Sequence, residues 1–172
     1  MKALFDLFFD ICLMRRGPQD LPTSTSLLRV AGVVYALVAL VLASIGGDMG
    51  RAAMQVAIDL AVTIVFVQLV LRIRDRGGRF VQTLTALFGT SALLTAFGLP
   101  LLFWLRNYVD DEGMVMAGGD LPSFLWFLLF MWSLLVVGHI LRHALDIRFG
   151  MAVLLAGAYV FGDISITGFL LP

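Results

Sequence analysis

The chain has 172 residues, 60% of them hydrophobic and 14% charged, and its formal net charge at neutral pH is zero. Soluble domains are roughly 45–50% apolar and about 25% charged, so this composition, with a mean hydropathy of +0.98, indicates a single domain embedded in a membrane. The balanced charge argues against a nucleic-acid partner. The single cysteine, Cys12, excludes an intrachain disulfide and a thiolate metal cluster.

The N-terminal segment contains a predicted amphipathic helix. Lys2, Asp6 and Asp10 recur at four-residue spacing on one stripe, and large apolar side chains cover the rest of the helix surface. The segment is too short to cross a bilayer, and its two aspartates distinguish it from a removable signal peptide. We expect residues 1–14 to form an interfacial helix in the cytoplasmic headgroup plane, which is compatible with packing across the mouth of a bundle.

A proline-bearing turn follows this helix. The stretch RRGPQDLP begins with Arg15 and Arg16, and Pro18 cannot continue a helix because it lacks the backbone donor. The simplest interpretation is a stop signal followed by a tight turn. The functional alternative is a contact of the two arginines with a partner or with lipid headgroups.

Five apolar runs follow, each near the ~20 residues that a helix needs to cross a ~30 Å hydrocarbon layer. They lie at about 27–45, 52–71, 80–105, 124–141 and 150–171. Such continuous apolar runs are not barrel strands, and short connections favour antiparallel neighbours. The sequence therefore predicts an all-α polytopic membrane bundle, one integral domain over residues 1–172, with a kink near Pro100.

Basic residues decide the predicted orientation. With a cytoplasmic N-terminus, ten of the 12 basic residues lie inside, and only Arg51 and Arg106 lie outside. The acidic connection that contains Asp110 and Asp120 then also falls outside. We expect a bacterial inner-membrane protein with its N-terminus in the cytoplasm and its C-terminus in the periplasm.

Two carboxyl groups fall within the predicted spans. Asp59 lies seven positions after Ala52 on a helix entering from outside, and Asp163 lies thirteen positions after Gly150 on one entering from inside. At ~1.5 Å per residue, both lie about 10 Å below the outer boundary of a ~30 Å core. If their helices are neighbours, nearby polar residues complete a pocket that opens outward: Gln55, Thr63, Tyr159, Ser165 and Thr167.

This pair has a functional and a structural interpretation. Two carboxylates in a low dielectric can share a proton or bind a cation. Alternatively, a protonated aspartate bonds a neighbouring helix, or one carboxylate reaches Arg51 or Arg106. Small residues that allow close helix packing flank both aspartates: Ala53, Ala57 and Ala61 on one helix, and Ala152, Ala156, Ala158 and Gly162 on the other.

Other polar residues cluster at the predicted inner face. His139 and His143 have the i, i+4 spacing of a two-histidine metal site, although histidines at a helix C-terminus are also favoured by the dipole. Four arginines could bind anionic lipid or a partner, although control of topology alone explains them: Arg72, Arg74, Arg76 and Arg79. No nucleophile elbow, phosphate loop or haem motif is present, so neither an enzyme nor a cofactor is expected.

The order of these elements resembles a known family. An amphipathic N-terminal helix, a connector with Gly17-Pro18 and Leu21-Pro22, and five closely spaced spans resemble the bacterial members of the Yip-domain family. The resemblance implies a non-enzymatic membrane protein linked to trafficking, membrane organisation or partner recruitment. It assigns no functional residue.

Two functions are compatible with the sequence. The first is a non-enzymatic scaffold or accessory subunit that binds another membrane protein, or a second copy of itself, within the lipid bilayer. The alternative is a small transporter or a proton- or cation-coupled permease that uses Asp59 and Asp163. An internal pair beside a cavity would favour transport, and an exposed pair would favour partner recognition.

Overall fold

The computed structural model describes residues 2–45, 48–110 and 114–171, which fold into six α-helices. Five of them are long and apolar enough to cross a membrane, which confirms the predicted all-α membrane bundle. The helices are α1 (Lys2–Cys12), α2 (Thr25–Ser44), α3 (Met49–Ile73), α4 (Phe80–Arg106), α5 (Asp120–Leu145) and α6 (Phe149–Leu170). Short 3-10 turns at Pro18–Asp20 and Gly77–Arg79 lie in two of the connections.

Four of the five long helices begin before the apolar runs that predicted them, and α3, α4 and α5 also end after them. Helix α2 begins after Ser24, whose Oγ accepts a hydrogen bond from the Leu27 N–H at 3.3 Å, and α3 begins after Asp48, which caps Gly50 at 2.8 Å. An apolar run marks the part of a helix that matches hydrocarbon, whereas the backbone stays helical as far as its cap. Helix α4 likewise continues through Pro100.

Helix α4 is the most enclosed element of the bundle. It packs against α1, α2, α3 and α5, and every residue from Thr83 to Thr90 is buried. The buried hydroxyls of Thr83, Thr85 and Thr90 each donate to a backbone carbonyl four residues earlier, at 2.7–2.8 Å. These internal bonds satisfy the hydroxyls without water, so the N-terminal half of α4 can be enclosed on all sides.

Helix α1 crosses α4 near Gly89. The Phe8 ring packs so closely on this glycine that a Cβ there would overlap it, and the Cys12 Sγ lies 3.9 Å from the Thr90 carbonyl oxygen. Two residues one turn apart on α1 thus contact two consecutive residues of α4, which indicates that the axes of the two helices cross at a steep angle. Burial raises the pKa of the Cys12 thiol to about 12, so this thiol is unreactive at neutral pH.

Three side chains bind backbone carbonyls in and after α1. Trp132 Nε1 donates to the Cys12 carbonyl at 3.0 Å, and Gln82 Nε2 donates to the Leu21 carbonyl at 2.7 Å. His139 Nε2 lies 2.9 Å from the Arg16 carbonyl. Because a carbonyl only accepts, the Nε2 of His139 carries the proton. The N-terminal segment is therefore held against α4 and α5 along its length.

The crossing point is compatible with the predicted interfacial position of α1, which stays a prediction. Gly89 lies nine residues after Phe80, or about 14 Å along α4. Helix α4 has 27 residues and is about 40 Å long, so centring it on a ~30 Å core puts Gly89 about 8 Å below the inner boundary. Interfacial helices bury their apolar face by about 5–10 Å.

The two arginines that were predicted to lie outside each cap a helix. Arg51 Nη2 donates to the Leu171 carbonyl at 2.7 Å, and Arg106 Nη1 donates to the Ile45 carbonyl at 2.8 Å. These carbonyls follow the last turns of α6 and α2, where a cation is favoured by the helix dipole. The ends of α2, α4 and α6 and the start of α3 therefore meet at one end of the bundle, which we call the Arg51 end.

The opposite end has its own charged cluster. Arg79 Nη1 donates to the carbonyls of His143 and Ala144 at 2.8 and 3.1 Å, at the C-terminus of α5. It also contacts the Asp146 carboxylate at 3.1 Å, which Arg76 approaches at 3.0 Å. Two of the four arginines predicted to contact lipid thus bind protein groups. Among the described residues, the side chains of Arg72 and Arg74 have no polar partner and are exposed.

We predict that Gly89→Ala destabilises the folded protein, because the new Cβ overlaps the Phe8 ring. Overpacking of this kind costs about 1–3 kcal/mol, which exceeds the ~1 kcal/mol that alanine gains over glycine in a helix. Thermal unfolding in detergent measures the change. Gly157→Ala on α6, where nothing lies within 4 Å of the added Cβ, is the matched control and should not lower Tm. Equal Tm values for the two variants would contradict the close crossing.

We predict that Asp146→Asn lowers stability at neutral pH and has little effect in acid. The Arg79 hydrogen bond, with the nearby arginine charges, lowers the pKa of this carboxyl. Its stabilising contribution is therefore present above the unfolded value of about 3.9 and is lost as the pH falls through the lower folded value. The difference in Tm between Asp146→Asn and wild type, followed from neutral pH to below about 3.9, measures this contribution. Asp6→Asn, at an exposed site with no polar contact among the described residues, is the control; a pH-independent difference for Asp146→Asn would refute the linkage.

Candidate functional site

The two aspartates of the spans lie beside one cavity. Asp59 of α3 and Asp163 of α6 both line a space of about 200 Å³ near the Arg51 end of the bundle. Gln55 lines it as well, together with Tyr35 of α2 and Thr95 of α4. Four helices thus surround the acidic pair. The two helices that carry the carboxyl groups, α3 and α6, are therefore neighbours, as predicted.

Tyr35 binds Asp59 directly. Its hydroxyl donates to Asp59 Oδ2 at 2.5 Å, and its ring stacks on Phe88 of α4 with a centroid separation of 5.6 Å. The stacked ring holds the hydroxyl in place, and a hydrogen bond to a carboxylate is among the stronger ones in proteins. Sequence reasoning missed Tyr35. The available signal was its position as the only polar side chain between Arg29 and Ser44 of the first span.

A second polar contact joins α3 and α6 next to the pair. Thr63 Oγ1 donates to the Asp59 carbonyl at 2.8 Å and lies 2.7 Å from the Tyr159 hydroxyl. Because the single hydroxyl hydrogen of Thr63 is used in the first bond, Tyr159 is the donor in the second. The Tyr159 ring also packs on Phe66 at 4.9 Å. This contact fixes the two helices one turn away from the carboxyl of Asp59.

Asp163 has fewer partners than Asp59. Its Oδ1 is buried and forms no hydrogen bond within the described residues, and the same holds for Thr167 Oγ1, one turn further along α6. Burying such an oxygen without a partner is unfavourable. The charge of Asp163, unlike that of Asp59, is therefore not compensated by a donor at Oδ1.

The observed cavity differs from the predicted site in two ways. Of the polar residues predicted to complete the pocket, Gln55 lines the cavity, whereas Thr63, Tyr159, Ser165 and Thr167 do not. Ser165 is exposed and donates to the Phe161 carbonyl of its own helix at 2.7 Å, so it does not complete the pocket. The alanines at 53, 57 and 61 are also exposed and do not form the interface between α3 and α6. That interface uses Thr63, Phe66 and Tyr159 instead. Spacing indicates which residues share a face but not which face meets the neighbouring helix.

The histidine pair is used in packing. The rings of His139 and His143 meet edge to face with centroids 4.6 Å apart, and His139 Nε2 binds the Arg16 carbonyl. Within the described residues, no group of three or more histidine, cysteine or acidic side chains is placed to bind a metal. Arg16 itself pairs with Asp10 at 3.3 Å, while Arg15 is exposed.

The cavity geometry is compatible with cation or proton binding. Two like charges in one space of low dielectric repel each other, and a shared proton or a bound cation removes that repulsion. The tyrosine, glutamine and threonine that also line the cavity supply further oxygen atoms.

Comparisons with known proteins add no relative to this description. No family model, curated protein or solved structure matches the chain. The resemblance to Yip-domain proteins therefore stays a prediction, and the proposals that follow rest on the geometry of this chain alone.

Proposed function

We propose that this integral membrane protein is a small proton- or cation-coupled permease, without enzymatic activity, that uses Asp59 and Asp163. The observation that carries the proposal is that the two carboxyl groups come from different helices and line one cavity. Ionisable residues inside a membrane are costly and mark ion pathways when they face the interior of a bundle. Asp59 and Asp163 fit this description, because both line a cavity between helices.

The position of the cavity supports access from one side of the membrane. Leu42 and Ala43, which line it, lie in the last turn of α2, and Gln55 lies in the second turn of α3. Tyr35, about 11–12 Å further in along α2, marks its depth. With the N-terminus in the cytoplasm of a bacterial cell, as the distribution of basic residues favours, the cavity opens to the periplasm and the C-terminus lies there too.

Within this proposal the two aspartates have different roles. The Tyr35 hydroxyl compensates the charge of Asp59, whereas Asp163 Oδ1 has no donor. An incoming proton or cation therefore finds a carboxyl oxygen without a hydrogen-bond donor at Asp163 Oδ1. Asp59 and Tyr35 form the opposite wall and hold the ion close to α3.

A scaffold or accessory subunit is the second candidate. Helix α2 buries only Ala31, and α6 buries only Ala152 and Ala156, so both helices present long apolar faces. A membrane partner or a second copy could cover these faces, and the exposed Arg15, Arg72 and Arg74 could bind the same partner or anionic lipid. The internal cavity is not needed for this role, which is why it ranks second.

We predict that Asp59→Asn with Asp163→Asn abolishes coupled flux. Amide groups neither exchange a proton nor balance a cation, so a pH-sensitive dye inside proteoliposomes should report no proton movement under an imposed Na⁺ or K⁺ gradient. Ser165→Ala, two positions from Asp163 on the exposed face of α6, is the matched control and should behave as wild type. Flux unaffected by the double substitution would reject the permease; co-purification of a stoichiometric membrane partner would then favour the scaffold.

We predict that Tyr35→Phe destabilises the protein only while Asp59 can accept its hydrogen bond. A hydrogen bond to a charged group contributes about 1.5–3 kcal/mol, and the ring stacking on Phe88 is retained by phenylalanine. A double-mutant cycle with Asp59→Leu, whose side chain accepts no hydrogen bond, measured by unfolding in detergent, isolates this coupling. Additive effects of the two substitutions would show that the bond does not contribute.

A further inference from the structure

An apolar groove runs between α1, α2 and α4. It has a volume of about 320 Å³, and every residue that lines it is apolar. Leu4 and Phe8 form its α1 wall, Leu27 and Val38 mark its two ends on α2, and Ala92 and Ala96 line it on α4. The groove is separate from the acidic cavity, with which it shares no lining residue.

The dimensions of the groove select a narrow occupant. Leu27 and Val38 are eleven positions apart on one helix, or about 16 Å. A volume of 320 Å³ over this length gives a mean cross-section of about 20 Å², or about 4–5 Å across. Carbon atoms in contact are about 3.5–4.0 Å apart, so a single file of methylenes fits. A helix with its side chains is about 10–12 Å wide and does not fit.

The groove is open in the structure, and two contacts hold α1 in place beside it. The Phe8 ring is already in contact with Gly89, and Trp132 holds the C-terminal end of α1 through the Cys12 carbonyl. The small side chains at 31, 92 and 96 leave the space between the helices. Close-packed interiors do not keep a void of this size, and water is excluded because no polar group is present to bind it.

We infer that the groove binds one acyl chain of a membrane phospholipid. The rim supports this occupant, because Phe5, Val30 and Val34 line the groove and are exposed, as are Val33 and Leu37 on the adjacent surface of α2. The groove is thus continuous with the apolar surface that a spanning helix turns to lipid. The bound chain packs between α1 and α2 and fills the gap that these helices leave.

Photolabelling in vesicles tests this inference. The full-length protein is reconstituted in vesicles of phosphatidylethanolamine and phosphatidylglycerol that contain a phosphatidylglycerol with a diazirine in one acyl chain, and the labelled peptides are mapped by mass spectrometry. The label should concentrate on residues that line the groove. Val34→Phe and Ala96→Phe, both at exposed rim positions where folding tolerates a larger side chain, should reduce groove labelling at least threefold.

Val33→Phe is the matched control, since it adds the same ring to a neighbouring residue that does not line the groove. It should leave the labelling pattern unchanged. Labelling spread evenly over the apolar surface, or groove labelling unaffected by Val34→Phe and Ala96→Phe, would overturn the inference.

Discussion

The fold depends on enclosing α4 where no water can reach its polar groups. Its N-terminal half is surrounded by four other helices, and each buried threonine hydroxyl of this half donates to the backbone carbonyl four residues earlier. A helix in lipid can leave one side to acyl chains, but α4 leaves none along Thr83–Thr90. The N-terminal segment supplies the cover that the neighbouring spans do not, which explains why α1 packs against the spans.

Arginine side chains bind the C-terminal carbonyls of helices at both ends of the bundle. Carbonyls at the end of a helix have no intrahelical donor, and here arginine side chains supply one: Arg51 for α6, Arg106 for α2 and Arg79 for α5. Each of these contacts also ties two parts of the chain that are distant in sequence. Arginines that sequence reasoning assigns to topology or lipid therefore also close the ends of the bundle.

Much of this arrangement could be predicted, and the errors have physical causes. Long apolar runs predict spanning helices because lipid accepts no other backbone in isolation, and equal depth brings Asp59 and Asp163 to one level. Depth does not give the rotation of a helix about its own axis. The predicted site therefore wrongly included Ser165 and lacked Tyr35. Tyr35 lies on α2, a helix that was not predicted to contribute to the site. For the same reason, the alanine spacing on α3 predicted the wrong residues at the interface with α6.

The steep crossing of α1 also has a consequence for the order in which the protein assembles. Helix α1 leaves the ribosome before the spans, yet the Trp132 side chain that binds its Cys12 carbonyl follows 120 residues later. Chains are inserted from the N-terminus onward, and spans associate after they enter the bilayer. The short amphipathic helix therefore cannot dock until α4 and α5 are in place. Its docking is a late step of assembly, although its residues precede all five spans.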